Sequence, residues 1–329
     1  MKYILNRIIR MDYNNFFAII KKIKKTSKKS GIYIFFDIVF TGLRFKAGYM
    51  DYYLLKMYEM NNKEKSTYLV RGKNNELVNK LNKKADIHIL NNKIETNKLF
   101  NKYLKRDWSY IGDPHIDLFL KKHSRFIAKP SDGQCGKGIE IIETKKFKST
   151  KALLEYLKNN NLDLVEELIK QHKEIAKINN SSVNTIRIVS IYNYKTFYIG
   201  ACMRIGNGNF VDNFESGGMT AKVDPEKGIV LSPAIDKVGN IYYNHPKTKT
   251  KIEGFKIPFY EETLKMIAEM TKMVPTLRYV GWDISITPKG PVLVEANPLP
   301  GSQITQMPYP NGKKEGCMPK INEALNYKI

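Results

Sequence analysis

Asp283, Glu295 and Asn297 are the side chains of this 329-residue chain best suited by type and spacing to hold a hard cation. Asp283 lies in YVGWDISIT, where apolar and polar residues alternate. Pro288, Gly290 and Pro291 follow as turn residues, and VLVEAN runs back. That order predicts a β-hairpin. Side chains alternate faces along a strand, so Glu295 and Asn297 point the same way, and the hairpin can bring Asp283 beside them. Two carboxylates and an amide oxygen on one face suit Mg²⁺ held against substrate phosphates, because that ion takes oxygen ligands and keeps positions open. A surface hairpin with solvated acids would carry the same string.

Upstream residues fit the phosphates themselves. Lys129 ends a predicted strand, RFIAKP, and the loop SDGQCGKG, with Gly133, Gly136 and Gly138, leads into a second strand, IEII. A Walker-type loop opens into a helix. This one joins two strands, so its backbone N–H groups would fold over phosphates as a flap, the competing reading being a tight hairpin with no ligand. Lys129 would act as a point charge on phosphate oxygens. The strand containing Glu166, Glu167, Leu168 and Ile169 is suited to linking two lobes, its backbone meeting an adenine edge and one acid accepting from the exocyclic amine. His172, just beyond, is within chain reach of a nucleotide ribose. Arg187 and Arg204 lie in strand-like runs and could clamp a transferring phosphoryl group. Asp212-Asn213 and Gly217-Gly218 lie near them, the glycine pair permitting close backbone approach to a ligand.

The elements that must position these residues change character along the chain. Up to about residue 90 the sequence is mixed: a basic helix, the apolar run GIYIFFDIVFTGLRF, DYYLLKMYEM and a short strand in STYLV. ETNKLFNKYLKRDW then places Leu99, Phe100, Tyr103 and Leu104 at helical spacing. Beyond 125, TKALLEYLKNN reads as a helix opened by Ser149 or Thr150, LDLVEELI as a strand, and NTIRIVSIY, FYIGACMRI and NFVDNF as antiparallel strands. EETLKMIAEMTKMV is a helix with Leu264, Ile267, Ala268 and Thr271 on one face. The fold class expected is α+β, with a mixed, mainly helical N-terminal region.

Composition excludes several classes. No apolar stretch is long enough for a transmembrane helix, and the N-terminus lacks the core and cleavage site of a secretory signal. Cys135, Cys202 and Cys317 are far apart with no ligand spacing, which fits a reduced cytoplasm. No nucleophilic Ser or Cys signature is present. The net charge of +23 comes from scattered lysines, so it does not point to nucleic acid, which would favour a concentrated stripe with stacking aromatics. The densest cluster, Lys21–Lys29, allows contact with an anionic membrane surface or simply a solvated helix face.

Taken in order, the lysine, glycine flap, acidic linker, arginine-bearing sheet and final D…ExN resemble the ATP-grasp superfamily. The strings SSVNTIRIVSI, HPKTKTKIEGFKIP and GWDISITPKGPVLVEAN are similar to its sugar-transfer-associated subgroup, over roughly residues 88 to 312. The resemblance implies an ATP-grasp fold, two α+β subdomains clasping ATP: 1–87 as an N-terminal region, 88–170 as the first subdomain and 171–329 as the second. It implies that Lys93 and Lys129 contact ATP phosphates, with Lys98 a rival to Lys93. Glu166, Glu167 and Ile169 match the adenine linker. Asp283, Glu295 and Asn297 match the ligands of two Mg²⁺ ions, which Mn²⁺ could replace.

The activity implied is phosphorylation of a carboxylate by ATP, then displacement by an amine, with an amino acid and an amino sugar or glycan precursor as substrates in polysaccharide synthesis. One departure concerns specificity. The related D-alanine–D-alanine ligase carries an arginine two residues before the metal aspartate, where this chain has Gly281. Arg187 or Arg204 must then take over its role, or the acceptor differs. A kinase on the same scaffold is the alternative, and a non-enzymatic polyanion or membrane-surface binder a third reading.

Overall fold

The computed structural model describes residues 11–133, 138–208, 214, 217–310 and 312–327. The chain forms two compact units, Met1–Lys80 with Gly301–Ile329, and Leu81–Pro300. The last segment thus groups with the N-terminal region, not with residues 171–300 as the sequence suggests. Its hydrogen bonds explain why. The Gln306 amide pairs with both the N–H and the C=O of Leu69, and Gly316 and Met318 donate to Thr67.

In the first unit, α1 (Tyr13–Ser27) and α2 (Gly31–Phe45) form a helical pair. Asp12 and Ser30 cap them, each accepting from a backbone N–H three residues on. Phe16, Ile19, Ile20 and Ile23 of α1 and Ile34, Ile38 and Phe45 of α2 are buried at helical spacing. The run GIYIFFDIVFTGLRF is therefore helical. STYLV is not a strand: Tyr68, Leu69 and Val70 are buried, but Leu69 spends its backbone groups on Gln306.

The second unit holds two antiparallel sheets. The smaller has β1 (Trp108–Tyr110), β2 (Arg125–Lys129), β3 (Glu140–Glu143) and β4 (Leu164–Glu166) in the order β1-β4-β2-β3. The helix Thr150–Asn159, capped by Ser149, buries Leu153 and Leu157 in the same cluster as Phe126 and Ala128 of β2. The larger sheet contains β5 (Thr185–Asn193), β6 (Lys195–Ile205), β7 (Met219–Val223), β8 (Ala234–Asp236), β9 (Ile241–Tyr242), β10 (Tyr279–Thr287) and β11 (Gly290–Asn297). Its order is β11-β10-β5-β6-β7-β8-β9. The expected strand NFVDNF, with Asp212 and Asn213, lies outside the described residues except for Phe214.

Alternation sorts this sheet into two faces. Ile186, Ile188, Trp282, Ile284 and Ile286 enter a core shared with the helix Tyr260–Met273. Each such side chain contributes roughly 1.5–3 kcal/mol on burial. The helix turns Thr263, Met266, Ile267 and Met270 inward, while Leu264 and Ala268, expected inside, are half-buried. Trp282 is fully buried and donates its indole N–H to Ser190 Oγ at 2.9 Å. The intervening residues Arg187 and Asp283 must point to the opposite face.

Candidate active site

The hairpin register sets Asp283 directly opposite Glu295 and Gly281 opposite Asn297, so both acids and the amide share one face. Continuing across the sheet, Asp283 is opposite Arg187 on β5, and Arg187 is opposite Cys202 on β6. Arg204, two residues beyond Cys202, lies on that same face.

Both arginines reach Asp283. Arg187 donates through Nε to Oδ1 and through NH2 to Oδ2, the latter at 2.6 Å, and Arg204 NH1 donates to Oδ2 at 2.8 Å. Burial pushes the Asp283 carboxyl up, but the two guanidiniums outweigh it and hold it below its ordinary range. Burial likewise opposes charge on Arg187, and Asp283 more than restores it. Among buried groups a fork of this kind fixes position as well as charge.

Lys93 joins this face to the glycine loop. Asn92 caps its helix, Lys93–Leu99, accepting from Ile94 N at 3.0 Å and Glu95 N at 3.1 Å. The Lys93 ammonium donates to the carbonyls of Gly133 and, at 3.4 Å, Ser131. It also lies 4.0 Å from Glu295 Oε1. Burial is the main force lowering its pKa, and Lys129 adds to it. Lys98, its rival, is exposed and pairs with Glu95 at 3.3 Å. Gly138 has φ of 71°, a conformation that favours glycine, and Gly136 lies outside the described residues.

Lys129, at the end of β2, is buried and donates to Glu166 Oε2 at 2.8 Å. Arg106 NH2 reaches the same oxygen at 3.1 Å, and Asn97 Nδ2 donates to Oε1 at 2.8 Å. Burial would raise the Glu166 carboxyl, yet Arg106, Lys129 and these hydrogen bonds bring it to about 2. β4 stops at Glu166. Glu167 exchanges contacts with Asp107, its N–H donating to the Asp107 carbonyl at 2.9 Å, and Leu168 and Ile169 are half-buried in the extended segment that follows. His172 caps the helix Lys173–Ile178: its Nδ1 accepts from Glu174 N at 3.2 Å, and its ring packs edge-on against Phe259.

Asn97 and Arg106 were not singled out by sequence reasoning. They sit in NKIETNK and LKRDW, which read as a polar helix face, and only the burial of neighbouring Phe100 and Leu104 hints otherwise. Arg106 also donates to the Leu293 carbonyl at 2.6 Å, tying β11 to Glu166. Asp107, His123 and Glu167 form the one set of three ionisable groups, among the described residues, close enough to share a cation. Lys122 already sits 2.5 Å from Asp107, and His123 2.8 Å.

The sequence matches the family described as sugar-transfer associated ATP-grasp over residues 72–320. The chain belongs to that family. Its α+β architecture of two antiparallel sheets is accordingly an ATP-grasp fold. Among solved structures, this ATP-grasp protein is similar to a D-alanine–D-alanine ligase from Bacillus anthracis, at 17% identity, covering 65% of this chain and 58% of that one, with a TM-score of 0.36. The corresponding ligase from Coxiella burnetii is 12% identical over 73% and 54%, with a TM-score of 0.40. An L-amino acid ligase from Bacillus licheniformis is 12% identical over 66% and 42%, also with a TM-score of 0.40. The chain spans under two thirds of the length of each of these proteins. No curated protein matches it.

Proposed function

We propose that this chain is an ATP- and Mg²⁺-dependent carboxylate–amine ligase that acts through an acyl phosphate in glycan biosynthesis or modification. One observation carries the reading: the Lys93 ammonium, seated on glycine-loop carbonyls, lies 4.0 Å from Glu295 of the acidic hairpin. Phosphates beneath the loop and a cation on the hairpin would then be neighbours.

The residues fit that cation by donor type. Glu295 and Asn297 share a face, and Glu295 is about one-third exposed. Asp283 accepts one hydrogen bond at Oδ1 and two at Oδ2, so Oδ1 keeps a lone pair. Mg²⁺ bound there, as one ion or two, or Mn²⁺ in its place, would neutralise charge on phosphate oxygens. The chain's own side chains supply the remaining work. Lys93 and Lys129 bind phosphate oxygens, the segment Glu166–Ile169 offers backbone groups to adenine, and Gly133, Gly136 and Gly138 let the loop close and exclude water. Arg187 and Arg204, once exchanging part of their hold on Asp283, stabilise the transferring phosphoryl group. An amino acid and an amino sugar or glycan precursor, met in a reducing cytoplasm, are the substrates proposed.

The alternative reading is a sugar or small-molecule kinase on the same scaffold. Incubation with ATP and Mg²⁺ against a panel of amino acids, sugar acids and amino sugars, with mass spectrometry of the products, separates the two. An amide with free phosphate supports the ligase; a stable phosphorylated acceptor supports the kinase and overturns the ligase.

A further inference from the structure

The helical pair α1–α2 presents an apolar face that stays exposed among the described residues. Ile32, Phe36, Val39 and Leu43 recur at i, i+4, i+7 and i+11 of α2, directly opposite its buried stripe, and Ile32 is 74%, Phe36 64% and Leu43 57% exposed. Tyr33 and Phe40 flank them and are also exposed. On α1, Tyr13 and Phe17 add to the face. Edge-on contacts run from Phe17 through buried Phe16 to Phe35 and Phe36, with ring centroids 5.4 to 5.9 Å apart, so the outer aromatics of both helices are braced on one buried ring.

The exposed charges within α1 and α2 themselves are positive. The α1 stripe that begins with Tyr13 and Phe17 continues as Lys21, Lys24 and Lys28, all exposed, with Lys22 and Lys25 beside them. Between residues 13 and 47 the sole acid is Asp37, and it is turned inward, with Lys65 at 2.6 Å and the Tyr52 hydroxyl at 2.5 Å. No helix among the described residues is long and apolar enough to cross a membrane. Large apolar patches on a protein surface mark binding sites, and aromatics bordered by lysines match the acyl boundary and anionic headgroups of a bilayer.

We propose that the α1–α2 face docks on an anionic phospholipid membrane, with Phe36, Val39 and Leu43 entering the interface and Lys21, Lys24 and Lys28 on the headgroups. This inference is independent of the ligase reading. It gives Lys21–Lys29 a partner surface built mainly by the next helix.

Cosedimentation of the full chain with vesicles of phosphatidylcholine alone, or of phosphatidylcholine mixed with anionic phosphatidylglycerol, tests it. Binding is expected to the anionic vesicles. It should weaken about tenfold or more in Phe36→Ser/Leu43→Ser and, at low salt only, in Lys21→Glu/Lys24→Glu. These side chains are exposed, so far-UV circular dichroism should be unchanged. A Phe36→Trp variant should blue-shift on adding anionic vesicles, a signal that purely electrostatic binding would not give. Absence of binding, or binding indifferent to Phe36→Ser/Leu43→Ser, overturns the proposal. So does a dimer in sedimentation that dissociates in that variant, which would assign the face to a second copy. ATP turnover is read separately, so loss of membrane binding with turnover intact sinks this proposal alone.

Discussion

Arg187 fills the space that Gly281 leaves open. A Cβ at position 281 would lie 3.4 Å from Arg187 Cδ, 3.6 Å from NH1 and 3.0 Å from Pro300 Cβ. An arginine donated from β5 therefore stands beside Gly281 of β10. Its guanidinium arrives from the adjoining strand and is forked onto Asp283.

Removing that guanidinium should cost both stability and chemistry. Arg187→Ala leaves buried Asp283 with the single hydrogen bond from Arg204, a loss on the order of 3 kcal/mol. Urea unfolding should register it. ADP release should fall by about 10²-fold or more if the same group also meets the transferring phosphoryl. Arg187→Lys keeps the charge without the fork, so it should recover neither quantity in full.

The two lysines of NKIETNK should behave differently. Lys93 touches loop carbonyls and Glu295, whereas Lys98 forms an exposed pair. A charged hydrogen bond contributes roughly 1.5–3 kcal/mol, so Lys93→Ala should weaken ATP binding about 10- to 100-fold in calorimetry. Lys98→Ala should change it by less than about twofold. Equal losses would reassign the phosphate contact.

Glu166 should shape the acid limb of stability. Its carboxyl is held at about 2, against an ordinary 4.5 in the unfolded chain. A depressed carboxyl contributes stability that is complete above the unfolded value and disappears as pH falls through the folded one. On the order of 3 kcal/mol should thus be lost between about pH 5 and 2. Glu166→Gln has no such proton to take up. Its urea stability, though lower at pH 7 with Lys129 and Arg106 left unpaired, should fall less steeply with acid than that of the parent.

The parts legible in the sequence are those whose partners are local. β5, β6, β10 and β11 alternate because one face meets the core, and the turn residues of the final hairpin fix the register that sets Asp283 against Glu295. The helix α2 was not legible as a helix. Its aromatic and β-branched residues have modest helix propensity, and its outward face is apolar too, so the run lacks the polar stripe that marks a surface helix. STYLV misleads for another reason: the group that satisfies Leu69 is Gln306, 237 positions away. The Glu166 clamp was hidden likewise, because Asn97 and Arg106 look like solvent-facing residues until the chain folds them onto a buried carboxylate.

The central claim is that the hairpin carboxylates bind a cation that holds ATP. Calorimetric titration of ATP with and without Mg²⁺, in the parent chain and in Glu295→Ala, tests it most directly. Glu295 is about one-third exposed, so its truncation should leave unfolding within about 1 kcal/mol of the parent. The account predicts that Mg²⁺ tightens ATP binding about tenfold or more in the parent and has no effect in the variant. Mg²⁺-independent ATP binding in the parent, or an undiminished Mg²⁺ effect in Glu295→Ala, would contradict it.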